Sequence, residues 1–262
     1  MNLLRVCLVT MAAALLASLP LGAGQGPLDP AVLLKPPTDA WPSYHGDYTG
    51  RHYSPLRQVT TANARNLSLA WLYRTPASTD GAVLGGPPVV PAAGPGRGGG
   101  APALTSGPIV KAMPLMVHGI LYLSTPNRVF AVDARTGRQI WQYLWRGGRG
   151  AIGNRGVAMY RNWLYVVTPD NFVVSLEAAT GKERWKYKGE LGVRASPCVH
   201  DGTVYVGDSS GVFHAIDART GQKHHGATGG DDRPVDVNAA ALLLGYFAAI
   251  HHDYRTTTVL RC

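Results

Sequence analysis

One pattern recurs three times in the middle of this chain and limits its folds more than any other feature. It consists of an apolar run, a turn, a second apolar run, and then an acidic residue followed by Ala-x-Thr-Gly. The copies span Ile120 to Trp141 (ILYLSTPNRVFAVDARTGRQIW), Trp163 to Trp185 (WLYVVTPDNFVVSLEAATGKERW) and Thr203 to His225 (TVYVGDSSGVFHAIDARTGQKHH). Their threonines, Thr136, Thr180 and Thr220, lie 44 and 40 residues apart. A strand-built repeat of about 40–45 residues has the period of a propeller blade.

The second copy shows why each repeat should be a small sheet. Leu164–Val167 and Phe172–Leu176 are β-branched and aromatic with almost no charge, as suits strands covered on both faces. Pro169-Asp170-Asn171 between them reads as a hairpin turn; Asn127 and Ser209-Ser210-Gly211 hold the same place in the other copies. Gly137, Gly181 and Gly221 follow the threonines and allow a tight turn with positive φ. Trp141 and Trp185, five residues past the threonine, are predicted to fill the gap between neighbouring blades; the third copy has His225 there. The fold expected is all-β, a partial β-propeller of about three blades plus an N-terminal strand, forming an open ring.

The 262 residues are 45% apolar and 16% charged, which excludes a disordered chain and allows one sizeable core. With 32 Gly and 19 Pro the composition fits a turn-rich β protein. The net charge of +9 is scattered; the densest group, Arg146, Arg149, Arg155 and Arg161, reads as a solvated loop or an anion site and not as a nucleic-acid surface. Residues 1–24 combine Arg5, an apolar run and small residues at Gly22-Ala23-Gly24, the pattern of a secretory signal peptide. Cys198 and Cys262 would remain after its removal and make no disulfide framework.

Residues 25–75 are read as the N-terminal segment of the propeller, with a helical turn or two over Thr60–Leu67 capped by Thr60 or Thr61, and a strand over Leu69–Arg74. Residues 76–107, rich in Gly, Pro and Ala, are expected to be a disordered insertion. Residues 108–226 hold the three repeats, and 227–262 a tail outside the propeller, whose apolar run Ala239–Ile250 is too short to span a membrane. No metal-type spacing occurs: His224-His225 and His251-His252 are adjacent, and neighbours on a strand point to opposite faces. Asp133, Glu177 and Asp217 recur before Ala-x-Thr-Gly and are assigned structural roles; Asp201 and Asp208 are assigned to turns.

Four separated motifs then carry a resemblance. Trp41-Pro42-x-Tyr44-x-Gly46-Asp47-Tyr48-Thr49-Gly50-Arg51-x-Tyr53-Ser54-Pro55-Leu56, Asn66-Leu67-x-Leu69-Ala70-Trp71, Met113-Pro114-Leu115-Met116-Val117-x-Gly119 and Gly153-Asn154-Arg155-Gly156-Val157-Ala158 resemble the pyrroloquinoline quinone (PQQ)-dependent alcohol and glucose dehydrogenases. The likeness covers Trp41 to about Lys188; from Arg194 to Gly226 only a generic repeat of this type remains. It implies an eight-bladed periplasmic propeller with PQQ and a calcium ion on its axis, oxidising an alcohol or sugar and passing electrons to a cytochrome or quinone. The family chain is longer, and an open set of blades would favour self-association through exposed edges.

The resemblance also implies roles for single residues. Arg155, beside Asn154, matches the arginine that pairs with a PQQ carboxylate, and Ser209-Ser210-Gly211 resembles the Ser-Gly step next to the cofactor. Elsewhere the family's pattern is lost. Its acidic residue three before Pro114 is Lys111, its cysteine pair falls at Arg149-Gly150, a PQQ-contacting threonine at Arg194, and a metal-ligating glutamate at Val212 or Phe213; Glu190 lies in the wrong part of the blade. No catalytic residue and no metal ligand is assigned. The expectation is a PQQ-dependent dehydrogenase-like protein, incomplete or weakly active. The alternatives are a non-enzymatic repeat propeller that binds other proteins in the periplasm, and a truncated or shifted reading frame beyond Gly226.

Overall fold

The computed structural model describes residues 26–87, 110–147, 156–189, 192–193, 196–208 and 213–224. Within them the repeats fold as three consecutive sheets. The first contains β1 (Ala82–Gly85), β2 (Leu115–Val117), β3 (Ile120–Thr125), β4 (Arg128–Asp133) and β5 (Gln139–Trp145). The second contains β6 (Ala158–Tyr160), β7 (Trp163–Val167), β8 (Phe172–Glu177) and β9 (Glu183–Lys188), and the third β10 (Cys198–His200), β11 (Thr203–Gly207) and β12 (Phe213–Asp217). Strand order follows chain order as an antiparallel meander in each repeat. The apolar runs of the second copy are β7 and β8, with Leu164, Val173, Val174 and Leu176 fully buried.

The three Thr-Gly turns share one geometry. Gly137, Gly181 and Gly221 have φ of 72°, 71° and 76°, a region open to glycine at little cost. Asp133 accepts hydrogen bonds from the backbone N–H of Arg135 and Thr136 and from the Thr136 hydroxyl; Asp217 does the same for Arg219 and Thr220. The Thr136 bonds hold the Asp133 carboxyl below its usual range. These carboxylates build turns, as their recurrence implies.

Each turn seats a tryptophan from the preceding repeat. Trp141 of β5 lies against Gly181 and donates its indole N–H to the Ala178 carbonyl at 3.0 Å. Trp185 of β9 repeats this on Gly221 and Ala218 at 3.1 Å. Tyr122 and Tyr165 donate to the same two carbonyls, at 3.3 and 3.1 Å. The expected filling between blades is therefore a docked ring with its polar edge satisfied. Apolar clusters follow these joints: one joins β3 and β5 to β7 and β8, the other joins β7 and β8 to β11 and β12.

Two expectations fail. Leu69–Arg74 forms no ladder. Instead Trp71 docks on Gly137 and donates to the Ala134 carbonyl at 3.2 Å, and the Tyr73 hydroxyl bonds the Gln139 side chain. Its Leu69 and Leu72 remain exposed. The helical turn upstream is only a 3-10 turn, Ala64–Asn66, with Asn63 at its N-cap.

The second failure lies in the Gly/Pro-rich stretch, where β1 pairs in parallel with β5. Its lead-in is held by polar side chains of the first blade: the Arg128 guanidinium donates to the carbonyls of Pro76, Ala77 and Ser78, and Gln142 donates to that of Asp80. Residues 1–24, 88–107 and 227–262 lie outside the described residues, as does His225.

A glycine pair isolates the docking contribution. A Cβ at Gly181 would lie 2.6 Å from the Trp141 ring, whereas one at Gly202, with φ of 72°, meets nothing within 4 Å. Gly202→Ala should cost about 1–2 kcal/mol from backbone strain alone. Gly181→Ala should cost about 2–5 kcal/mol, because the ring must also be displaced. Urea unfolding of both variants, followed by tryptophan fluorescence, checks the difference.

Candidate cofactor site

The blades have two unlike ends. Pairing of Arg128 with Leu144 and of Phe172 with Lys188 puts the β3–β4 and β7–β8 hairpins at the end where β5 and β9 finish. The Thr-Gly turns lie at the other end, where Ala134, Ala178 and Ala218 bond back to the Gly119, Asn162 and Gly202 carbonyls. Asn154, Arg155, Ser209, Ser210 and Gly211 lie outside the described residues, as do Arg149, Gly150, Glu190, Arg194 and Val212. Their described flanks, Gly147 and Gly156 on one side and Asp208 and Phe213 on the other, belong to the hairpin end.

Three of the sequence motifs meet along the inner strands β2 and β6. The backbone N–H of Trp41 donates to the Met116 carbonyl at 2.6 Å, and that of Met116 to Trp41 at 3.0 Å. Gly156 (φ 143°) approaches the same strand's lead-in closely. A Cβ there would sit 3.4 Å from the Met113 carbonyl oxygen and 3.9 Å from the Ala112 Cβ. Lys111, next to Ala112, is exposed. The N-terminal motif reaches the third blade as well: the Tyr48 hydroxyl donates to the Val199 carbonyl at 2.5 Å.

Within that motif His45 and His52 hydrogen-bond through their ring nitrogens, with Tyr44 edge-on to both. His52 adopts φ of 51° to do so. Burial, and then the neighbouring His52, depress the His45 pKa, while Asp47 opposes them. Asp47 caps Thr49 and pairs with Arg51 at 3.8 Å.

Polar contacts cross both blade interfaces at the hairpin end. Trp145 of β5 donates to the Asp170 carboxylate at 2.6 Å. In the next interface the Tyr187 hydroxyl meets His214 Nδ1 at 3.0 Å, and His214 Nε2 meets Asp208 at 3.0 Å. Asp208, assigned to a turn from the sequence, thus bonds a buried histidine. His214 was not singled out from the sequence; the available signal was a histidine inside an otherwise apolar run. Among the described residues, no three His, Cys, Asp or Glu side chains converge as a cation site.

Comparison with known proteins decides the family. The profile for the glucose/ethanol/alcohol dehydrogenase β-propeller domain, PQQ, matches residues 41–163. This part of the chain belongs to the PQQ propeller family. A profile for the outer membrane protein assembly factor BamB matches residues 125–252. The quinohemoprotein alcohol dehydrogenase of Comamonas testosteroni is 32% identical over 206 residues, covering 71% of this chain and 25% of that protein. Its crystal structure superposes with a TM-score of 0.53 over 71% of this chain and 26% of the other. The quinohemoprotein alcohol dehydrogenase ADH-IIG of Pseudomonas putida is 30% identical over 70% of this chain and 24% of that protein. The chain therefore spans about a quarter of the curated relatives it matches.

The inner strand of the third blade carries a sealed thiol. Cys198 is buried, and burial pushes its pKa up to about 12. With Cys7 and Cys262 changed to serine, the remaining thiol should stay inert to DTNB at pH 8 and react at once in 6 M guanidinium chloride, where its pKa returns to about 8.5. Fast reaction of the native protein would contradict the packing of β10.

Proposed function

We propose that this chain is a PQQ-binding propeller segment of the alcohol-dehydrogenase type. The observation that carries the proposal is the proximity of Gly156 to the lead-in of β2, where a Cβ added to it would lie 3.4 Å from the Met113 carbonyl oxygen. It sets Gly156, which follows Asn154 and Arg155 in the sequence, beside the lead-in of β2 and the Met113–Val117 motif. It also joins chain segments in which Arg155 and Lys111 each neighbour a contact residue. Two cations adjacent in sequence to these segments suit a ligand with carboxylates, and a guanidinium fork pairs with a carboxylate in two parallel hydrogen bonds. PQQ, when bound, supplies the oxidant that takes two electrons from an alcohol or sugar carbon.

The residues of this chain would contribute binding and orientation. Arg155 would pair with a carboxylate of the quinone, Asn154 would hold the connector, and Ser209, Ser210 and Gly211 would line the third-blade side. Calcium, used with PQQ in the family, is assigned to no residue here, and no step is derived through it. A cytochrome or quinone would accept the electrons, and the sequence leader supports a periplasmic location. Tyr53, Leu56, Val59, Leu67, Leu69 and Leu72 are all exposed, which supports self-association of the segment. As it stands the segment would have weak dehydrogenase activity or none.

A second reading, a protein-binding scaffold without cofactor, draws support from the BamB profile over residues 125–252. The two readings part in an absorbance titration of the purified protein with PQQ. Saturable binding that weakens about 10–100-fold in Arg155→Ala, the loss of a charged hydrogen-bonded pair, is the outcome expected. No spectral change at any PQQ concentration would favour the scaffold. Dye reduction with ethanol or glucose, after addition of PQQ and Ca²⁺, should stay near background.

A further inference from the structure

The three tryptophan joints are not all made by strands. Trp141 and Tyr143 lie on β5, and Trp185 and Tyr187 on β9. Trp71 and Tyr73 belong to no ladder among the described residues, yet Trp-x-Tyr is common to all three segments. Their contacts match as well. Each indole lies against the glycine of the following turn and donates to the alanine carbonyl there, at 3.2, 3.0 and 3.1 Å. Tyr73 bonds the side chain of Gln139, the first residue of β5, at 2.6 Å, and Tyr143 bonds that of Glu183, the first residue of β9, at 3.0 Å. By pattern and by contact, Leu69–Arg74 corresponds to the outer strand of a blade preceding the first.

The third repeat shows the complementary deviation. Its sheet has three strands among the described residues; beyond them Lys223 bridges Ile216, and His224 donates to the Ala215 carbonyl. The residues that follow read His225-Gly226-Ala227-Thr228-Gly229-Gly230. They contain no Trp-x-Tyr, and glycines weaken a strand. The chain thus carries an outer-strand sequence without its blade, and a blade without an outer-strand sequence.

We propose that Leu69–Arg74 of a second copy of this chain completes the third blade. This gives a mode to the self-association proposed above and is independent of PQQ binding. The register follows from the other blades: Trp141 stands opposite Ala131 and Trp185 opposite Ser175. Trp71 of the second copy therefore stands opposite Ala215, and its Leu72 opposite His214. The handover from Lys223 and His224 falls at the register shift that both ladders show there.

Trp71 keeps its seat on Gly137 of its own chain. The first blade of the second copy then follows the third blade of the first through the same joint that links blades within one chain. Twice three sheets make a ring of six, closed by two identical joints. That lies within the usual range of about four to eight blades, which three copies would exceed.

Light scattering on the full chain should give twice the mass of one chain. Tyr73→Pro probes the new ladder. Trp145 and Gly189 donate their backbone N–H to Asn127 and Asn171, and such donors alternate along a strand, so Tyr143 and Tyr187 also turn theirs inward. Proline at 73 removes the matching donor at both joints. It should weaken the dimer about 10–100-fold at parent-like strand content by circular dichroism, whereas Tyr73→Phe should stay dimeric. With Cys7, Cys198 and Cys262 changed to serine, Leu72→Cys/His214→Cys should form a disulfide between copies on non-reducing gels, because directly opposed strand residues lie within disulfide reach. A monomeric parent would overturn both this mode and the self-association reading. A heavier assembly would overturn the closed ring. A dimer that survives Tyr73→Pro, or that forms no disulfide between copies, would overturn strand completion alone. If Tyr73→Pro fails to fold, the disulfide decides.

Discussion

A tryptophan resting on a glycine joins each sheet to the next, and the rest of the architecture depends on that joint. The glycine must lack a Cβ, because the ring lies where a Cβ would be: 2.7 Å or less for Trp71, Trp141 and Trp185 alike. The indole N–H then reaches an alanine carbonyl in the same turn. One residue type thus supplies apolar area and a satisfied donor, which a phenylalanine or leucine could not. The turn itself is held by the Asp–Thr hydrogen bonds at Asp133 and Asp217, so the seat is rigid before the ring arrives.

This arrangement explains why the fold was readable. Thr-Gly-x-x-x-Trp is a local pattern whose three parts have separate physical duties, and its period set the blade size. The strands at Leu164–Val167 and Val204–Gly207 followed from apolar runs without charge, and they are β7 and β11. What escaped notice needed contacts far apart in the chain. Nothing local in Ala82–Gly85 announces a strand within a Gly/Pro-rich stretch; it forms because Arg128 and Gln142, about fifty and sixty residues on, bind the carbonyls before it. Conversely, Leu69–Arg74 has the composition of a strand but pairs in no ladder among the described residues.

The candidate site was legible in a different way. Arg155 and the Ser209–Gly211 step rest on likeness to a family; the match over residues 41–163 covers Arg155 and not the Ser209–Gly211 step. The physical contribution of the structure is the meeting of motifs. Trp41 with Met116, and Gly156 with Met113, are pairs that no periodicity argument could have joined. His214 shows the opposite limit: a single histidine in an apolar run reads as an exception until Tyr187 and Asp208 are seen on either side of it.

The two ends of the blades diverge for a physical reason. At the Thr-Gly end every repeat must receive the same ring, so the carbonyls of Ala134, Ala178 and Ala218 accept equivalent bonds. At the hairpin end the described contacts differ: Trp145 meets Asp170 at one interface, and Tyr187 meets His214 at the next. A repeat protein can vary one end of its sheets where a recurring contact at the other end keeps the spacing between them constant. The tryptophan joints repeat one spacing at each interface, and the side chains at the opposite end, such as Asp170 and His214, are left to differ from blade to blade.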